Sequence, residues 1–383
     1  MRGRSFPAVA ALFLLLCLGC CLPTASAKRA DPHPEKPRVL FVPHDNRPIS
    51  DEQTADTLRM MEWDIVVPPD DLLGGRGILG DPEAVWAWLE QEAPKAQIAV
   101  VSTDTLLYGS LVGSRKHAYP IEEIEARLAR FAAFKAQHPK LRLYAFGSIM
   151  RTPRSAEASG GEEPSYYAHY GSDIFRFTAL TDKQETDGLT RREKKEYTFL
   201  QRLIPEAAIE DWLARRNKNF HASARLIDLT RAGTFQYLAL GRDDNAPYSQ
   251  THMESRKLSA IGADLGVSRF QAMAGIDEFG LMMLTRAVND WTRTVPFVYV
   301  KYNWGRGGST VPSYSDETIA DTIKAHVTAT GALLVASPKN ADFVLCVNTN
   351  PNGKTYEAND RANDGKPHEG TKYFVYLVAE SVA

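Results

Sequence analysis

Hydrophobic segments with the length of β-strands recur along the chain, and most are nearly continuous in apolar residues. They lie at 38–42, 64–67, 97–102, 141–148, 235–240, 270–274, 297–301 and 343–347. Continuous apolar runs are typical of parallel strands that are buried on both faces of a sheet. Segments with helical periodicity lie between them, at 51–61, 82–92, 121–138, 252–265, 281–291 and 316–328. This alternation predicts an α/β fold with mostly parallel strands.

Two architectures fit the alternation. About eight strands would suit a (β/α)-barrel-like sheet. Two Rossmann-like halves are suggested by an internal echo, in which Ser-Asp-Glu at 50–52 and Ala-Asp-Thr at 55–57 recur at 315–317 and 320–322. An apolar strand precedes both copies. Two unrelated but similar helix N-termini would explain the echo equally well, because serine caps and acidic first turns are common.

The alternation is interrupted at 155–231, where the sequence becomes charged and helical. We therefore expect a main α/β domain at 38–295 that carries a helical insertion at 155–231. Residues 296–383 are expected to form a second α/β unit. We expect that unit to be incomplete, because the chain stops soon after the apolar run at 374–379.

The N-terminus has the three parts of a signal peptide. Arg2 and Arg4 precede an apolar stretch at 6–22, and small residues at 25–27 form a cleavage site. We expect residues 1–27 to be removed and the protein to be exported, either periplasmic or extracellular. The segment is too short for a lasting membrane span. Because three of the four cysteines lie within it, only Cys346 remains in the mature chain, which excludes an internal disulfide.

The charge of the chain bears on which partners it can bind. The formal net charge is −2 at pH 7, so we expect no nucleic-acid partner, which would require a clustered basic face. The glycine-rich segments at 74–77 and 305–310 lack both the Walker lysine and the dinucleotide spacing. We therefore expect no cofactor.

Polar residues follow nearly every predicted strand on its C-terminal side. The carboxyl ends of parallel strands open on one rim, where α/β proteins form their sites. The candidate residues are Asp45, Asn46, Arg47, Asp104, Tyr108, Arg151, Arg242, Asp243, Asp244, Asp277, Glu278, Asn303 and Trp304. We expect this rim to bind a small molecule or an oligosaccharide.

Two acidic pairs within this set are the candidate catalytic residues, Asp243 with Asp244 and Asp277 with Glu278. Adjacent carboxylates repel each other, so one member of a pair is pushed toward protonation. A protonated and an ionised carboxyl group can act as general acid and stabiliser, as glycosidases require. The pattern favours a carbohydrate-active hydrolase, although Asp243 or Asp277 could instead cap the helix that follows it.

The other members of the set are candidate substrate-binding residues. The Asp and Asn side chains suit sugar hydroxyls, and the three arginines suit a carboxylate or phosphate. The arginines could equally pair with nearby aspartates, since buried charges need partners. The aromatic side chains could stack on sugar faces or simply pack into the core.

Two other functions fit the same residues. One is a non-catalytic exported binder of a sugar or an anionic ligand. The other is a metal-dependent hydrolase, because the strand-end aspartates and His44 could supply ligands for a divalent cation. No His-Glu-x-x-His spacing occurs in the chain, so no residue is assigned to a metal.

Several motifs resemble a bacterial family known only as domain of unknown function 4127. They read VPHDNRP at 42–48, STD at 102–104, YGSLV at 108–112, SIMRT at 148–152, RRNKN at 215–219, GRDDNAPY at 241–248 and GIDE at 275–278. As a set they are specific and span roughly 38 to 350. Members are typically longer, with a C-terminal segment rich in Trp, Asn and Thr that is expected to be missing here. The resemblance implies no agreed activity, so function rests on the chemistry of the residues.

Overall fold

The structure is a computed structural model that describes residues 36–75, 77–302, 307–312, 315–347 and 349. The predicted signal peptide, the apolar run at 374–379 and the candidate residues Asn303 and Trp304 lie outside the described residues. Within the described ranges strands alternate with helices, which confirms the α/β prediction.

The larger sheet has six parallel strands in the order β2-β1-β3-β4-β5-β6. The strands are β1 (Arg38–Val42), β2 (Asp64–Val66), β3 (Ile98–Ser102), β4 (Arg142–Ile149), β5 (Tyr237–Arg242) and β6 (Phe270–Ala274). Within the described residues the edge strands β2 and β6 do not pair with each other, so this sheet is open. It is therefore not the closed barrel that was one of the two predicted alternatives, and separate hydrophobic cores cover its two faces.

The helices connect the strands and form the insertion. The described α-helices are α1 (Glu52–Arg59), α2 (Pro82–Glu92), α3 (Thr103–Tyr108), α4 (Leu111–Lys116), α5 (Ile121–Gln137), α6 (Ala156–Ser159), α7 (Tyr167–Thr186), α8 (Arg191–Leu203), α9 (Glu206–Arg231), α10 (Gln250–Ile261), α11 (Phe279–Thr292) and α12 (Ile319–Ala329). Helices α6 to α9 follow one another between β4 and β5. No helix of the described ranges combines the length and the hydrophobicity that crossing a membrane requires.

Alternate residues of the strands bury their side chains on opposite faces of the large sheet. Leu40 points into a core that also holds Trp86 of α2 and residues of α5, α9 and α10. Its neighbour Phe41 points into a second core with Phe279 of α11 and residues of α1. All four side chains are fully buried. This two-sided burial explains why the strands read as continuous apolar runs.

A second parallel sheet has the order β8-β7-β9, formed by β7 (Phe297–Tyr302), β8 (Leu333–Leu334) and β9 (Phe343–Val347). This order repeats that of β2-β1-β3, with α12 linking β7 to β8 as α1 links β1 to β2. The echoed turns at 50–52 and 315–317 occupy equivalent places before α1 and α12. The echo therefore marks a repeated β-α-β unit, although α12 begins at Ile319, after its turn, rather than at 316.

The two sheets belong to one compact unit that begins at Lys36. Helix α12 contacts both β6 and α11, so the second sheet lies beside the β6 edge of the first. The Nε2–H of His326 in α12 donates to the backbone oxygen of Ala274, 2.7 Å away at the end of β6. This contact brings the repeated unit to the rim formed by the carboxyl ends of the large sheet.

Candidate functional site

The candidate residues lie along the carboxyl rim of the large sheet. From β1 the chain moves to β2 on one side of the sheet, and β3 to β6 then follow in order on the other side of β1. The strand order therefore reverses between the neighbouring strands β1 and β3. Open α/β sheets bind their ligands in the crevice outside such a switch point. The crevice between the loops that follow β1 and β3 is therefore the expected ligand-binding position.

His44 and Asp104 occupy this switch point, and both are buried. The Nδ1 atom of His44 lies 3.0 Å from Ser102 Oγ and 3.3 Å from Asp104 Oδ2. The backbone N–H of Ser148 donates to the same Asp104 oxygen at 2.8 Å. The Asp104 carboxylate thus contacts the Ser148 backbone and the His44 ring, and it orients His44. The Nε2 atom of His44 is buried and has no hydrogen-bond partner among the described residues.

Arg151, which follows β4, is the centre of a buried charge cluster. Its Nε donates to Glu163 at 2.7 Å, and its Nη1 donates to Asp244 at 2.6 Å. Its Nη2 donates to Glu162 at 3.1 Å. Glu162 and Glu163 lie at the start of the helical insertion, so the insertion contributes directly to the surroundings of Asp244.

Arg115 of α4 completes the cluster. Its Nη1 donates to Glu162 at 2.6 Å and its Nη2 to Asp243 at 3.4 Å. Asp243 also lies 3.7 Å from Arg151 Nη1. Four carboxyl groups therefore share two guanidinium groups, an excess of negative charge that is relieved when one carboxyl group keeps its proton.

Asp244 is the carboxyl group that responds to this excess. Burial, reinforced by the charge of Asp243, raises the pKa of Asp244 to about 6, although Arg151 and Arg115 oppose the shift. The Asp243 side chain is 34% exposed and that of Asp244 is 19% exposed. Asp244 also has a φ of 44°, a left-handed conformation that is unfavourable for a residue other than glycine. Below a pH of about 6 the neutral form of Asp244 predominates.

Arg47 joins the loops that follow β1 and β6. Its Nε lies 3.0 and 2.9 Å from the two carboxylate oxygens of Asp45, and its Nη2 donates to Asp277 at 2.9 Å. Burial alone would lower the pKa of Arg47, but Asp45 and Asp277 raise it. Asn46, the residue between Asp45 and Arg47, is exposed, and its amide lies close to Gly75.

The second predicted acidic pair is divided between different partners. Asp277 binds Arg47, whereas Glu278 Oε2 accepts from the backbone N–H of Ile276 at 3.3 Å. Glu278 Oε1 lies 3.5 Å from Nε2 of His326. The structure thus keeps Asp243 and Asp244 together on one arginine but gives Asp277 and Glu278 separate environments.

Arg242, the last residue of β5, contacts the repeated unit. It forms ion pairs with Asp316 and Glu317 and donates to Ser255 Oγ at 3.1 Å. The other carboxylate oxygen of Asp316 binds Nδ1 of His252. Burial would raise the pKa of Asp316, but its contacts with His252 and Arg242 hold it below the ordinary value.

Tyr108 lies in the core rather than on the surface of the rim. It is 4% exposed, and its ring stacks on His117 with centroids 4.5 Å apart. Burial raises the pKa of its hydroxyl well above the ordinary value. The position offers no ring face to a sugar.

Five rim residues escaped the sequence analysis. They are Arg115, Glu162, Glu163, His252 and Asp316. Asp316 belongs to the echoed turn at 315–317, but no local pattern marks the other four, because each acquires its role from a partner elsewhere in the sequence. Within the described ranges no three or more His, Cys, Asp or Glu side chains are grouped so that they could hold a metal ion.

Comparison with known proteins identifies one match. The sequence profile of the family described as "Protein of unknown function (DUF4127)" matches residues 39–383. No curated protein and no solved structure matched the chain. Since the description of the family names no activity, function has to be argued from the geometry of the rim.

Proposed function

We propose that this chain, which belongs to the DUF4127 family, is an exported carbohydrate-active hydrolase of the glycosidase type. The observation that carries the proposal is the pair Asp243 and Asp244 at the carboxyl end of β5. Burial and the neighbouring charge favour the protonated form of Asp244, whereas Asp243 is more exposed and lies near two arginines. Glycoside hydrolysis requires a proton donor and a carboxylate of this kind.

Each carboxyl group has a role in the proposed reaction. Asp244 gives its proton to the glycosidic oxygen as the bond to the anomeric carbon breaks. Ionised Asp243 stabilises the positive charge that develops on the sugar ring. The two groups approach the same atom, Arg151 Nη1, at 2.6 and 3.7 Å, so both can act on one sugar ring.

The loops that follow β1 and β6 offer polar groups for the substrate. Asp45, Arg47 and Asp277 form a hydrogen-bonded row, and the exposed residue Asn46 belongs to the same loop as Asp45 and Arg47. Amide and carboxylate groups of this type bind sugar hydroxyls. An oligosaccharide or a small glycoside is therefore the proposed ligand.

The test is a panel of glycosides, including N-acetylhexosaminides and uronides, applied to the mature protein and to Asp244→Asn. The matched control is Asp264→Asn, because Asp264 forms an exposed pair with Arg231 at 2.7 Å away from the carboxyl rim. We expect turnover by the unmodified protein and by the control. Turnover should fall by about 100-fold or more in Asp244→Asn, the usual contribution of a general acid.

The pH profile supplies a second measurement. Because the reaction needs protonated Asp244, kcat/KM is expected to fall as the pH rises above about 6. A folded protein that turns over no member of the panel would reject the glycosidase proposal. Thermal stabilisation by a sugar without turnover would then indicate a binding protein, and loss of turnover on chelation would indicate a metal-dependent hydrolase.

A further inference from the structure

An inverting glycosidase uses a separate base for the attacking water, and the roles proposed for Asp244 and Asp243 are those of proton donor and stabiliser. A third titratable group lies at the other end of the same loop. His252 occupies the first turn of α10, where its backbone N–H donates to the cap residue Ser249 at 3.1 Å. Through Asp316 it is linked to Arg242, the residue that precedes Asp243.

The imidazole of His252 is held through one nitrogen. Its Nδ1 binds Asp316, and no described residue hydrogen-bonds its Nε2. The Asp316 side chain is 2% exposed, whereas that of His252 is 35% exposed. A carboxylate that accepts from one ring nitrogen keeps the proton there and leaves the other nitrogen able to accept a proton.

The Asp316 carboxylate is held in position to orient the imidazole of His252. One of its carboxylate oxygens accepts from Arg242 Nε at 3.3 Å, and the other binds His252. Glu317, the next residue, pairs with the same arginine. The equivalent residue of the first repeat, Asp51, is also buried but has an oxygen without a hydrogen-bond partner among the described residues. Only the second copy of the repeated turn orients an imidazole.

We propose that His252 is the general base of the rim and that Asp316, supplied by the second α/β unit, is its positioning residue. This inference rests on the proposed function. The water oxygen bonds to the anomeric carbon of an O-glycoside while Nε2 of His252 takes one of its protons. The bond to the leaving oxygen breaks, and that oxygen takes the proton of Asp244. The imidazolium and the Asp244 carboxylate then exchange protons with solvent, which restores both groups.

The orientation of His252 can be tested without turnover. Nitrogen NMR of the histidine side chains, assigned with His252→Gln, reports which ring nitrogen carries the proton in the neutral form. Glu317→Gln is the matched control, because Glu317 pairs with Arg242 but does not contact His252. We expect the proton on Nδ1 in the unmodified protein and the control. In Asp316→Asn it should move to Nε2, and an unchanged tautomer there would overturn the dyad.

Kinetics on the glycoside that is turned over fastest test the catalytic role. His252→Gln and Asp316→Asn should lower kcat by about 100-fold or more with little change in KM, as the loss of a general base does. The first-formed sugar should have inverted anomeric configuration, because the water enters on the face opposite the leaving group. Thermal unfolding of each variant is the check that it is folded.

The outcomes separate the two proposals. If the unmodified protein hydrolyses glycosides and His252→Gln does so equally well, the base assignment is overturned and the glycosidase proposal stands. If the tautomer depends on Asp316 but no glycoside is hydrolysed, the glycosidase proposal fails. The dyad is then supported as an acid–base site for another substrate.

Discussion

Replacement of Asp51 by Asn tests the electrostatics of the repeated turn. Asp51 directly precedes α1, is 6% exposed, and has a carboxylate oxygen without a hydrogen-bond partner among the described residues. Burial, reinforced by the negative charge of Asp70, raises the pKa of Asp51 to about 6, with Arg59 opposing. The ionised carboxylate therefore destabilises the folded protein.

The pKa shift gives the size of the effect. The ordinary pKa of this carboxyl group is 3.8 and the folded value is about 6. One pKa unit corresponds to about 1.4 kcal/mol, so the shift corresponds to about 3 kcal/mol. Because the folded pKa is the higher one, the stability that Asp51 contributes is present below the unfolded pKa and is lost as the pH rises from about 4 to 6. Asparagine stays neutral and avoids this loss.

Urea unfolding of both proteins, followed by circular dichroism from pH 4 to pH 7, measures the effect. The free energy of unfolding of Asp51→Asn minus that of the unmodified protein should increase by up to about 3 kcal/mol over this range. Any contribution of the new amide itself does not depend on pH and appears as a constant offset. A difference that stays flat from pH 4 to pH 7 would refute the reasoning.

Asp316→Asn provides the contrast in the same assay. The pKa of Asp316 is lowered, so its contribution to stability is present above the unfolded pKa and is lost as the pH falls. This variant should therefore be destabilised at pH 7 and approach the unmodified protein toward low pH. The two copies of one turn are expected to respond with opposite signs.

Two further substitutions test the packing around the rim. Arg216→Ala should lower the free energy of unfolding in urea by about 3–5 kcal/mol, because it leaves buried Glu254 without two hydrogen bonds of 2.8 Å. The control is Arg225→Ala at an exposed position, which should cost under about 1 kcal/mol. Similar values for both variants would contradict the argument. Gly147→Ala should cost about 1–3 kcal/mol, because its Cβ would overlap Thr103 Oγ1. Adding Thr103→Ala should recover part of that loss, and no recovery would show that the cost arises elsewhere.

Much of the secondary structure follows from the hydrophobic pattern. The predicted bounds of β1, β6, β9 and α2 match those of the structure, because turn-forming or capping residues flank these segments. Helices α3 and α4 were not predicted. Helix α3 has only six residues and begins with Thr103-Asp104-Thr105 directly after its cap Ser102, the last residue of β3, so no loop separates strand from helix.

The arrangement of the strands required the tertiary structure. Continuous apolar runs are expected both in a closed barrel and in an open sheet covered on both faces, so the pattern could not distinguish them. The order β2-β1-β3 and its repetition as β8-β7-β9 resolved the meaning of the echoed turns. Strand order depends on which apolar faces meet, and these faces come from segments far apart in the chain.

The candidate site was likewise predictable from the sequence only in part. The sequence by itself placed acidic residues after β5 and β6 and predicted the mutual effect of Asp243 and Asp244, because these depend on neighbours along the chain. Only the tertiary structure decided that Asp104 supports His44 and that His252 meets Asp316, 64 residues away. A local pattern encodes periodicity and burial, whereas the charges that surround a carboxylate are set by long-range packing.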